Sequence, residues 1–132
     1  MSNLFNTLDF TSHSGIPLDF KIDCDALTDE DLEALAFYIS KRIKFSYVHS
    51  VPKGGDRLAT ALKKYETDCS THLIVDDVLT TGKSMNDVYE QVSTNWPNKP
   101  IRGIVIFNRQ LHALLPAWVQ PIFTLSMKDI VS

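Results

Sequence analysis

Apolar positions along this chain follow two different spacings, and the change from one to the other marks out its elements. From Thr28 the spacing is helical: Leu32, Leu35, Ala36, Ile39 and Ile43 recur at intervals of three and four. "TDED" (28–31) predicts a capping box with Thr28 as N-cap, and Lys41, Arg42 and Lys44 suit the carboxyl end of the helix dipole. Ahead of it, "PLDFKID" (17–23) alternates like a strand. Behind it, short apolar runs take turns with helical stretches. "FSYVHS" (45–50) predicts a strand, then the turn "VPKGG" and a helix over about 56–66. "HLIVDD" (72–77) predicts a second strand, then a loop and a helix over about 83–93. "IRGIVIF" (101–107) and "PIFTLS" (121–126) predict two more strands, separated by a short helical "RQLHALLPAW".

Fully apolar runs alternating with helices imply an α/β fold, a mostly parallel sheet with helices on both faces. Right-handed crossovers are expected. Ligands of such sheets lie outside the carboxyl ends of the strands, at a topological switch point. Both "VPKGG" and "DDVLTTGKS" fall there.

Composition narrows the function classes. The 132 residues suffice for one domain, and 44% hydrophobic with 22% charged residues is the balance of a soluble globular protein. A net charge of −3 argues against a nucleic-acid binder, so an anionic ligand must be caught by local geometry. No apolar run approaches a membrane span, and the N-terminus lacks the form of a secretory signal. Cys24 and Cys69 read as reduced thiols of a cytoplasmic protein, and the histidines at 13, 49, 72 and 112 form no metal-ligand pattern.

The chemistry is concentrated in "LIVDDVLTTGKSM" (73–85). A nucleoside-triphosphate P-loop requires a glycine at position 77, which is Asp, and a carboxylate there repels a triphosphate. Read as it stands, an apolar strand delivers Asp76 and Asp77 to the sheet edge. Thr80, Thr81, Gly82, Lys83 and Ser84 follow where a helix starts, offering N–H groups and hydroxyls to one phosphate. Carboxylates beside a phosphate cup call for neutral hydroxyl partners, and a ribose diol supplies them. Both carboxylates are expected to be exposed, contributing little to stability. The plainer alternative is a capped helix after a buried strand, with both Asp residues solvated.

This segment resembles the phosphoribosyl-pyrophosphate motif of the type I phosphoribosyltransferases: apolar strand, acidic pair, then T-T-G-x-[ST]. The resemblance implies that Asp76 and Asp77 hold the ribose hydroxyls and the loop 80–84 holds the 5′-phosphate. It implies that "VPKGG" is the pyrophosphate loop: Pro52, Lys53, Gly54 and Gly55 would grip pyrophosphate, Lys53 supplying charge. A cis peptide is expected there at Pro52–Lys53, or alternatively at Val51–Pro52. "FTSHSGIPLDFKID" (10–23) is similar to the N-terminal hood of the orotate branch, and "IVIFNRQ" (104–110) to its D-R-Q strand. That similarity puts Phe20, Lys21 and Arg109 at the base. The single domain 1–132 then divides into a hood (1–25) and a core (26–132). Mg²⁺ is the implied ion, near Asp76 and Asp77 through waters, and a homodimer the implied assembly.

The chain departs from that pattern at named places. Type I enzymes usually carry a long flexible loop before the acidic strand, and here only "ETDCSTHL" (66–73) fills the interval. His13, Ile16 and Asn108 stand where the orotate enzymes have lysine, arginine and aspartate. The implied activity is phosphoribosyl transfer between phosphoribosyl pyrophosphate and a nucleobase, an orotate-like pyrimidine favoured, with Asp76, Asp77 and Lys53 as its central residues. A non-catalytic sensor of phosphoribosyl pyrophosphate or a nucleotide is the alternative. An Asp-based phosphate-ester hydrolase would want D-x-D, and these aspartates are adjacent.

Overall fold

The computed structural model describes residues 27–79, 81–108 and 115–124. Helix α1 (Asp29–Arg42) starts at the expected capping box, with the Asp31 N–H on Thr28 Oγ1 and the Thr28 N–H on Asp31 Oδ2. Strand β1 (Tyr47–Ser50) leads into helix α2 (Asp56–Leu62), which tightens into a 3₁₀ turn over Lys63–Tyr65. Strand β2 (His72–Leu79), helix α3 (Lys83–Asn95), strand β3 (Ile101–Asn108) and strand β4 (Val119–Thr124) follow.

The four strands form one parallel sheet in the order β1-β2-β3-β4. One face packs α1 and α2, through Leu35, Ile39, Leu58 and Leu62, on Leu73, Val75, Ile104 and Ile106. The other packs α3, through Met85 and Val92, on Ile74 and Val105. Alternate residues of one strand feed opposite cores, which is why β2 and β3 read as unbroken apolar runs.

Three expectations are corrected. Strand β2 runs on to Leu79 because β3 still pairs with it, Val78 with Phe107 and Leu79 with Asn108. Strand β4 begins at Val119 and carries Pro121 inside it, which a strand at the edge of the described sheet tolerates because, among the described residues, its outer side has no ladder partner. The described part of "RQLHALLPAW" is a turn, closed by the Val119 N–H on the Pro116 carbonyl, since proline cannot extend a helix. The strand expected at 17–23, the hood (1–25) and residues 109–114 lie outside the described residues. Among the described residues no helix is long and apolar enough to cross a membrane.

The crossovers also differ from expectation. Both step the same way across the sheet, yet α2 covers one face and α3 the other. Two such crossovers must have opposite hands, so one of them is left-handed. Helix α2 is drawn to the face that α1 already occupies, where the two bury their apolar sides together.

Two scattered histidines meet in the fold. His49 Nε2 lies 2.8 Å from His72 Nδ1, with the rings 7° from coplanar and their centres 5.1 Å apart. One ring radius on each side of that contact accounts for the separation, so the rings meet edge to edge in an N–H···N bond. Tyr47 and Trp96 close around them.

Candidate active site

Because the chain leaves β1 towards one face and β2 towards the other, a crevice opens between the carboxyl ends of these two strands. Divergence of adjacent loops is what makes a switch point, and here it arises without any reversal of strand order. "VPKGG" borders the crevice from β1 and the acidic pair from β2.

The last pair of β1 with β2 is Ser50 with Val75, so Asp76 is the first residue of β2 that has lost its β1 neighbour. It still pairs with Val105 of β3. Each carboxylate is held by the next N–H: Asp77 N–H donates to Asp76 Oδ1 at 2.8 Å, and Val78 N–H to Asp77 Oδ1 at 2.7 Å. Asp77 is half-buried, but Asp76 retains only 8% exposure, contrary to the expectation of two exposed carboxylates. The cause is that β2 does not end at the pair; Val78 and Leu79 extend it past them. Burial, and behind it the Asp77 carboxyl, push Asp76 up to about 7, against the Asp77 N–H bond that favours the charged form.

The pyrophosphate-loop candidate is a tight turn. Val51 N–H donates to the Val75 carbonyl, Gly55 N–H to the Val51 carbonyl and Asp56 N–H to the Lys53 carbonyl, and the Pro52–Lys53 peptide is cis. A methyl at Gly54 would collide with the Asp77 carboxylate, and one at Gly55 with the Val75 carbonyl oxygen. Both glycines serve close approach, and the loop rests on the second aspartate of the pair. Lys53 is exposed and lines a cavity of about 70 Å³ with Gly54, Arg57 and Asp77.

The phosphate-cup candidate lies at the start of α3. Gly82 is its N-cap at φ 82°, a left-handed conformation suited to glycine, and no side chain caps the helix. Lys83 N–H reaches Thr81 Oγ1 at 3.3 Å, while Ser84 stands in the first turn and Met85 anchors that turn in the core. Thr80, Arg109, Phe20 and Lys21 lie outside the described residues. Asn108, where the orotate pattern has aspartate, is fully buried at the end of β3. Among the described residues no three histidine, cysteine or acidic side chains converge on a point that could hold a metal.

No family model matches the chain, and no curated protein matches it. Solved structures do. An orotate phosphoribosyltransferase from Aeropyrum pernix aligns over 83% of this chain and 80% of its own, with 22% identity and a TM-score of 0.63. A phosphoribosyltransferase from Corynebacterium diphtheriae aligns over 98% and 99%, with 13% identity and a TM-score of 0.65. At these identities the likeness is one of fold: this chain has a phosphoribosyltransferase-like α/β fold.

Proposed function

We propose that this chain is a phosphoribosyltransferase that moves a phosphoribosyl group between phosphoribosyl pyrophosphate and a nucleobase, an orotate-like pyrimidine favoured. The observation that carries the proposal is the seating of Gly54 directly on the Asp77 carboxylate, which makes a glycine-rich anion loop and an acidic pair two walls of one crevice. Asp76 and Asp77 would accept from the ribose hydroxyls. The loop Thr80–Ser84 would hold the 5′-phosphate at the start of α3, and Pro52–Gly55 the pyrophosphate, with Lys53 balancing its charge. The base would meet Phe20, Lys21 and Arg109, and the assembly would be a homodimer.

The reaction is displacement at the anomeric carbon, breaking its bond to pyrophosphate oxygen as a ring nitrogen of the base forms the new one. Positive charge develops on the sugar between the two. The residues named contribute position and charge and form no covalent bond. Mg²⁺ fits the donor set as an ion brought in by the substrate: two hard carboxylates are present, leaving phosphate, sugar and water oxygens to complete its shell. When bound it would neutralise pyrophosphate charge.

A second reading, a non-catalytic sensor of phosphoribosyl pyrophosphate or a nucleotide, is favoured by one observation. Residues 66–71 join the 3₁₀ turn to β2 directly, tied down by the Thr67 N–H on the Phe45 carbonyl and the Ser46 N–H on the Thr71 carbonyl. That leaves no lid there to exclude water from the crevice. Pyrophosphate release from labelled phosphoribosyl pyrophosphate with Mg²⁺, across a panel of nucleobases, separates the two. Base-dependent release supports the transferase. Tight binding without release supports the sensor, and no binding overturns both.

A further inference from the structure

The pyrophosphate loop needs its backbone fixed and its lysine free, and one side-chain contact bears on both. Ser50 Oγ donates to Asp56 Oδ1 at 2.6 Å. Ser50 is the last residue of β1 and Asp56 the first of α2, so this bond closes the loop 51–55 across its base. Gly55, the N-cap of α2, has no side chain, and no side chain caps the helix. The Ser50–Asp56 bond therefore helps to set the angle at which α2 leaves the loop, together with the Gly55 and Asp56 N–H bonds.

The same bond engages a charged group beside the loop. Asp56 lies three residues from Lys53, and its N–H already donates to the Lys53 carbonyl. Yet the ion pairs among the described residues join Arg57 to Asp29 and Lys64 to Glu33, and none involves Lys53. With its Oδ1 engaged by a hydroxyl, the Asp56 carboxylate makes no ion pair with Lys53. A carboxylate released at this point could pair with Lys53 and repel an incoming anion.

We infer that Ser50 and Asp56 are positioning residues that hold the loop 51–55 open for pyrophosphate and keep Lys53 available to it. The inference rests on the assignment of that loop as the pyrophosphate site. Its test compares two probes by calorimetry with Mg²⁺ present: inorganic pyrophosphate, which should meet the loop, and ribose 5-phosphate, which should meet the acidic pair and the start of α3. Ser50→Ala should weaken pyrophosphate about five- to tenfold, less than the full worth of one hydrogen bond to a charged group because the bond acts through the loop and not on the ligand. Ribose 5-phosphate should stay within about twofold and the melting temperature nearly unchanged, because the bond is exposed and Ser50 itself only half-buried. Ser50→Thr, which keeps the hydroxyl, should restore pyrophosphate binding.

Equal weakening of both probes would make the bond a general structural tie and overturn the inference, as would unchanged pyrophosphate affinity in Ser50→Ala. If the native chain binds ribose 5-phosphate but no pyrophosphate, the loop assignment falls and the inference with it. If it binds neither, the proposed function itself fails.

Discussion

Asp76 is kept in a state that a free aspartate avoids at neutral pH, and the consequence for stability has a definite sign. Its carboxyl sits at about 7 in the fold against an ordinary value of 3.8, so between these values the folded chain binds more protons than the unfolded one. The stabilisation this gives is full below about 3.8 and is lost as pH rises through about 7. Asp76→Asn, neutral at every pH, should therefore raise the urea midpoint at pH 8 while weakening ribose 5-phosphate binding. The binding loss should be about 1.5–3 kcal/mol, that of a hydrogen bond to a charged group. A variant that is both less stable at pH 8 and unaltered in binding would contradict both roles. The glycines divide by cause. Gly55→Ala meets main-chain atoms and should cost about 1–3 kcal/mol in urea unfolding. Gly54→Ala meets a side chain that can swing aside, so its cost should fall on ligand binding more than on stability. Gly82→Ala meets only ordinary side-chain contacts but has a left-handed backbone, costing about 1–2 kcal/mol. Equal losses for all three would show that their separate surroundings do not matter.

At the scale of elements, what was legible in the sequence was what is local. The capping box of α1 was readable because Thr28 and Asp31 lie within one helical turn and bond only to each other's main chain. Strands β2 and β3 were readable because residues facing both cores are apolar. Their ends were not, since Val78 and Leu79 stay in β2 through pairing with Phe107 and Asn108, about thirty positions away. The site shows the same division. Asp76, Asp77 and the 81–84 turn are contiguous and were found as a motif, whereas the burial of Asp76 depends on how far β2 extends. The Ser50–Asp56 bond had no signal beyond a serine and an aspartate six positions apart. The His49–His72 bond joins β1 to β2 and was invisible because no local spacing links positions 49 and 72. Removing it tests what holds the edge strand. His49→Ala should destabilise the chain by about 1–3 kcal/mol, since it leaves the buried His72 Nδ1 without its partner and empties part of the ring cluster. His49→Gln should recover part of that loss, since its amide can still reach a ring nitrogen. Equal stability of the native chain and His49→Ala in urea would mean the edge strand is held by its ladder alone.

Over the whole molecule, two buried sets of titrating groups act in opposite directions within one pH range. Burial, then His72, holds His49 below its ordinary 6.5, with Glu66 opposing. Burial, then Lys99, does the same to His72. Groups depressed in this way take up protons more readily in the unfolded chain, so their stability contribution is full above about 6.5 and is lost as pH falls below it. Asp76 works the other way, its stabilisation growing as pH falls through about 7. Each group contributes a slope of at most about 1.4 kcal/mol per pH unit. Acidification from pH 8 should therefore first stabilise the chain, as Asp76 begins to take its proton, and then turn downward below about 6.5, where two histidines oppose one aspartate. Substituting each set in turn separates the two contributions. His49→Gln should leave His72 alone in opposition, so that stability below about 6.5 falls less than in the native chain. Asp76→Asn should abolish the initial rise and leave a fall below about 6.5. Urea midpoints measured from pH 4 to 8 at constant ionic strength read out all three profiles. An Asp76→Asn profile parallel to that of the native chain would show that Asp76 carries an ordinary carboxylate, and the burial that β2 imposes on it by running on to Leu79 would then have no consequence for its proton.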